Sequence, residues 1–105
     1  MVTQAEFRQL VIESGQLSIV KFKTDWSGSC QIIAPVYEEL ADAYKGKAVF
    51  YTVDVEAEKG LHDEYGVMEL PTILFFSDGE IIDHIRGLVS KSTMISKIEN
   101  ALTQK

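Results

Sequence analysis

Hydrophobic and polar positions alternate along this chain in two periods, and the switches between periods mark its elements. The segment TQAEFRQLVIES opens with Thr3 and places Glu6 three residues later, the spacing of a capping box. Phe7, Leu10 and Val11 then form a helical stripe, and Gly15 is the expected stop. SIVKFK (18–23) is short and β-rich, which predicts a strand. From about Ser29 to Tyr44 the residues Ile33, Val36, Leu40 and Tyr44 recur at helical spacing, with Gly46 behind them. AVFYTVDV (48–55) predicts a second strand, Leu61 to Tyr65 a short helix before Gly66, and PTILFF (71–76) a third strand. Ser77-Asp78-Gly79-Glu80 is a hairpin turn into EIIDHIRG. A last helix starts near Ser90 and carries Met94, Ile95, Ile98 and Leu102 on its apolar side.

The order is α, β, α, β, α, β, β, α. Helices between the early strands imply crossovers and parallel pairing, while the terminal hairpin adds antiparallel strands. The expected class is α/β, with helices around a mixed sheet and residues 1–105 as a single domain. A chain of 105 residues can bury such a core without metal or disulfide staples.

The formal net charge of −6 changes the picture in one respect: it argues against nucleic acid, which needs clustered Lys and Arg. The first twenty residues lack the apolar core of a signal peptide, and no later run is long enough to span a membrane. The chain is therefore expected to be soluble, off the membrane and cytoplasmic, with a monomer as the default. A removed signal peptide would leave no trace, so an exported origin stays open. One cysteine permits no intramolecular disulfide. His62 and His84 have no second thiol near them, so no metal and no cofactor are expected.

Candidate chemistry is concentrated in DWSGSC (25–30), where the only cysteine, Cys30, follows Trp26, Gly28 and two serines. Asp25-Trp26-Ser27-Gly28-Ser29 is not G-x-S-x-G and has no His nearby, so a serine-hydrolase role for Ser27 fails.

Read with this element order, several residues resemble the thioredoxin family over nearly the whole chain. Trp26-Ser27-Gly28-Ser29-Cys30 stands where that family has Trp-Cys-Gly-Pro-Cys at a strand-to-helix junction. Pro35 lies five residues beyond Cys30, Leu70-Pro71-Thr72 opens the next-to-last strand, and Asp78-Gly79 and Gly87 also match. The resemblance implies the thioredoxin fold with a sheet of four or five strands, its first strand missing or reduced to Met1-Val2. It also implies a cis Pro71, and a substrate side made of Trp26, Gly28, Ser29, Leu70, Pro71 and Gly87. In that family a thiolate at a helix N-terminus attacks a substrate disulfide, and a second thiol resolves the mixed disulfide.

The departures bear on Ser27, Ser29, Cys30 and Lys21. Ser27 occupies the attacking position, and a hydroxyl cannot form a disulfide, so dithiol reductase turnover is expected to be absent or weak. Cys30 matches the more sheltered, resolving position. For Ser29 the simplest role is to cap the following helix, and Ser27 could do the same. Lys21 stands where the family usually carries a buried proton-accepting Asp, and the family's nearby lysine aligns with Thr52. Lys21 is thus a proton-transfer candidate, against the alternative that it snorkels to the sheet end and affects nothing.

Three functions stay in play. The first is a thiol–disulfide protein lacking its nucleophile, whose implied partners are protein or peptide thiols and disulfides and a thioredoxin reductase. The second is monothiol exchange through Cys30 with glutathione or a protein. The third is a redox-silent module that holds extended peptides around Trp26 and Pro71.

Overall fold

In a computed structural model, residues 1–104 are described. The elements are α1 (Gln4–Phe7) running into a π-helical turn (Arg8–Ile12), β1 (Leu17–Lys23), α2 (Gly28–Ala43), β2 (Ala48–Asp54), α3 (Lys59–Glu64), β3 (Thr72–Ser77), β4 (Glu80–Arg86) and α4 (Lys91–Gln104). The strands form one sheet in the order β2-β1-β3-β4. β1 and β2 are parallel, from Leu17 opposite Ala48 to Lys23 opposite Asp54. β3 runs antiparallel to β1, with Phe22 opposite Thr72, and antiparallel to β4.

The period of two along each strand divides the core between the faces of the sheet. Leu17 and Ile19 of β1 join Ile73 and Phe75 of β3 in a cluster with Ile33, Tyr37 and Leu40 of α2 and Met94 and Ile98 of α4. Val20 and Phe22 join Leu74 and Phe76 in a second cluster with Phe7, Val11 and Leu61 from the opposite helices. Helices thus cover both faces, and Lys21, in step with Leu17 and Ile19, lies on the α2 side.

Three details depart from the expected pattern. Leu10 is on the surface while Phe7 and Val11 are buried, because the chain widens into a π turn in which Glu13 N–H donates to Arg8 O at 2.8 Å. Tyr37, not Val36, completes the buried face of α2, at the i+4 position from Ile33. On α4 it is Ala101, with Met94 and Ile98, that is buried, and Ile95 and Leu102 sit at the margin. Among the described residues the sheet has four strands, and Met1-Val2 contributes a single bond, Val2 N–H to Thr52 O at 2.9 Å. The β3–β4 connection is a two-residue turn with Asp78 at φ 51° and Gly79 at φ 82°, the mirror-image geometry that matches strand twist.

Candidate functional site

β1 leaves the sheet at Lys23, and after three intervening residues the chain reaches Ser27, the residue before α2. Ser27 is the N-cap: its backbone is extended (φ −90°, ψ 121°) and its Oγ accepts the Cys30 N–H at 3.2 Å. The cap holds an amide that would have no intrahelical partner. Ser29 falls inside the first turn and its hydroxyl makes no hydrogen bond among the described residues, so the capping role belongs to Ser27 alone. The approach is pinned from outside. Gln31 Nε2 donates to Asp25 O at 2.9 Å, Lys23 Nζ meets Asp25 Oδ1 at 2.6 Å, and Thr24 Oγ1 donates to Glu56 Oε1 at 2.5 Å.

This junction sorts its side chains by depth. Trp26 is 85% exposed and Gly28 is on the surface, Ser27 and Ser29 are half-buried, and the Cys30 thiol is 4% exposed. The shallower position is thus held by a hydroxyl, and the chain's single thiol lies deeper.

Lys21 does not snorkel. It is 5% exposed, and its ammonium sits 4.6 Å from the centre of the Tyr37 ring. Burial pushes its pKa down from the ordinary lysine value, and the negative charges available at Cys30 and Glu38 oppose that shift. Tyr37 is a fixed wall, since its hydroxyl lies between Ile19 O (2.8 Å) and Tyr51 O (2.5 Å), and burial raises its pKa. Lys23 is different: its hydrogen bond to Asp25 raises its pKa, against partial burial.

Lys21 and Cys30 open into one cavity of about 320 Å³ beneath the start of α2, with Ala34, Glu38, Thr52 and Met1 among its walls. Thr52 is there because the parallel register sets it opposite Lys21. Glu38 was not among the residues singled out from the sequence. Its signal was present: Cys30, Ala34 and Glu38 are spaced i, i+4, i+8 and share one stripe of α2.

The other part of the site comes from β3 and β4. The Leu70–Pro71 peptide bond is cis, and Pro71 is buried. Gly87 N–H donates to Pro71 O at 2.8 Å, with Gly87 at φ 82°, where a side chain would be strained and its Cβ would meet the Glu69 carboxylate. Because Phe22 pairs with Thr72, Leu70 and Pro71 lie at the end of the sheet where β1 leads into α2. Met68, 94% exposed, and Leu88 border these segments. Trp26, Ser27, Gly28, Ser29, Leu70, Pro71 and Gly87 therefore share one end of the sheet.

Among the described residues no group of three or more His, Cys, Asp or Glu is placed to hold a metal ion. Among the described residues no helix is long and apolar enough to cross a membrane.

The family model described as Thioredoxin matches residues 1–100. The chain is 37% identical to the chloroplastic M-type thioredoxin of Spinacia oleracea over 97% of its own length and 56% of that protein's. It is 36% identical to the chloroplastic M-type thioredoxin of Pisum sativum, covering 94% of this chain and 58% of the other. The chain thus spans a little over half the length of these two relatives. Thioredoxin 1 of Synechococcus elongatus is 33% identical, over 96% of this chain and 94% of its own.

Proposed function

The chain belongs to the thioredoxin family, and from that premise we propose that it is a thiol–disulfide protein in which Ser27 has replaced the attacking thiol and dithiol turnover is lost. The observation that carries this reading is the division of labour at the start of α2. Ser27 occupies the half-exposed position and spends its oxygen on the Cys30 N–H, while Cys30 is buried. A hydroxyl at that place caps the helix but forms no mixed disulfide.

In this account Trp26, Gly28, Ser29, Leu70, Pro71 and Gly87 receive an extended protein or peptide segment by strand-like pairing. Lys21 acts as proton carrier for Cys30. A thioredoxin reductase and protein disulfides are the proposed partners of the dithiol parent, and a cytoplasmic, monomeric, single-domain protein is the proposed setting. Monothiol exchange with glutathione is the second reading. The cavity at Cys30 favours it for small molecules, whereas a thiol only 4% exposed disfavours exchange with folded proteins.

The test is a trapping experiment with a disulfide-bearing extended peptide. The double variant Ser27→Cys, Cys30→Ala has a half-exposed thiol and nothing to resolve its adduct, so a mixed disulfide should accumulate and be read by intact mass. The unmodified chain should form none under the same conditions. Absence of adduct in the double variant would overturn the assignment of position 27 as the point of attack.

A further inference from the structure

We propose that the cavity beside Cys30 admits small hydroperoxides, and that Lys21 carries one proton from the Cys30 thiol to the oxygen that leaves. Three observations converge on this chemistry. First, the thiol and the Lys21 amine face the same 320 Å³ space, large enough for a small molecule. Second, Lys21, 5% exposed, makes no hydrogen bond among the described residues, and its Nζ stands 4.6 Å from the centre of the Tyr37 ring. Its Nζ is not among the fully buried polar atoms without a partner, so the nitrogen opens to the cavity and can meet a molecule there.

The third observation is that the neighbouring Lys23 and Tyr37 are held by other groups. Lys23 is held by Asp25 at 2.6 Å, with Asp54 at 3.8 Å, and Tyr37 by its two carbonyls. Glu38 and the Met1 terminus line the outer wall, and Glu38 is exposed to water. Thr52 of β2 and Ile73 of β3, the cross-strand neighbours of Lys21, carry no charge. Lys21 and Cys30 share this space with Glu38, whose charge also acts on Lys21. The cavity lies on the β2 side of β1, whereas Pro71 lies at the start of β3, so a small molecule reaches Cys30 without using the Pro71 side.

The leaving group decides between oxidants. A thiolate displaced from a disulfide, with a thiol pKa of about 8.5, departs without help. An alkoxide or hydroxide, whose conjugate acid lies near 15.7 for water, needs a proton. In the proposed step Cys30 reacts as thiolate, with its proton held on Lys21 as the ammonium. The thiolate attacks the terminal oxygen of ROOH, an S–O bond forms and the O–O bond breaks. The departing RO⁻ takes the proton from Lys21 and leaves as ROH. Sulfur is oxidised by two electrons to the sulfenic acid, the peroxide is reduced, and Lys21 is left as the amine. Burial, which lowers the Lys21 pKa, makes its ammonium the readier proton donor. The chain has no second cysteine, so two equivalents of an external thiol complete the cycle: the first forms a mixed disulfide with Cys30 and releases water, and the second attacks that disulfide, leaves as the external disulfide and restores the Cys30 thiol.

This inference stands apart from the fate of Ser27, because its readout is oxidation of Cys30 and not disulfide turnover. The chain would be treated with hydrogen peroxide or tert-butyl hydroperoxide, the sulfenic acid captured with a 1,3-diketone, and the adduct counted by intact mass. Native Cys30 should be oxidised about 10²-fold faster than in the same chain unfolded in urea at the same pH, the range of a positioned general acid. Lys21→Met should lose about that factor. A native rate no higher than the unfolded rate would overturn the proposal, and so would a folded Lys21→Met that keeps the native rate. Should that variant fail to fold, the native-to-unfolded comparison decides alone.

Discussion

Ser27 and Cys30 divide the first turn of α2 between capping and burial, and each role can be removed separately. Ser27→Ala leaves the Cys30 N–H without its acceptor and should cost about 1 kcal/mol of stability, read as a lower urea midpoint with an unchanged slope. Lys21 gives a pH signature. Its folded pKa lies below the ordinary 10.5, so between those values the unfolded chain binds more protons and stability climbs as pH rises. Above 10.0 the tyrosines reverse the slope. Burial raises Tyr37 and pushes Tyr65 up to about 12, and the Glu99 hydrogen bond, with burial, takes Tyr44 to about 12. The unfolded chain ionises these tyrosines first, so their contribution is lost with rising pH. Urea midpoints should therefore peak near about pH 10. Lys21→Met should abolish the climb and raise stability at neutral pH by about 1 kcal/mol, since an unpaired ammonium costs more to bury than the Tyr37 contact returns. An unchanged pH profile in that variant would show that Lys21 is fully charged in the fold.

At the scale of elements, the strands and the long helices were legible because each has one face in the core and its period survives in the sequence. The β3–β4 turn was legible for a different reason: Asp78-Gly79 carries the two positive φ angles such a turn demands. Gly79→Ala should destabilise by about 1 kcal/mol or more, because an added Cβ would stand 3.0 Å from the backbone oxygen of Ile12 at φ 82°. A thermal melt that matches the parent would contradict this. The π turn after α1 was not legible, since Phe7 and Val11 fit an ordinary helix as well as a widened one. The exchange of Val36 for Tyr37 on the α2 face is a shift of one residue, about 100° of helix, which periodicity in a short window does not resolve. Whether Met1-Val2 makes a strand depended on a single bond to Thr52, which no local pattern announces.

For the whole molecule, the segments of the site are separated in sequence and meet through sheet register. Ser27 and Cys30 were readable in place, and Pro71 and Gly87 through resemblance. The burial of Lys21 and its shared cavity with Cys30 and Glu38 were not, because they depend on α2 lying over the ends of β1 and β2. The central claim concerns one atom in that assembly, the oxygen of Ser27 where a sulfur would serve. The most direct measurement is reduction of a protein disulfide, driven by a small dithiol, by the unmodified chain and by Ser27→Cys side by side. The account predicts that the unmodified chain stays at the rate of the dithiol alone while Ser27→Cys turns over well above it. Equal turnover by both would contradict it, since Cys30 alone would then carry exchange. Silence from Ser27→Cys would contradict it as well, by showing that the missing sulfur is not what stops the chemistry.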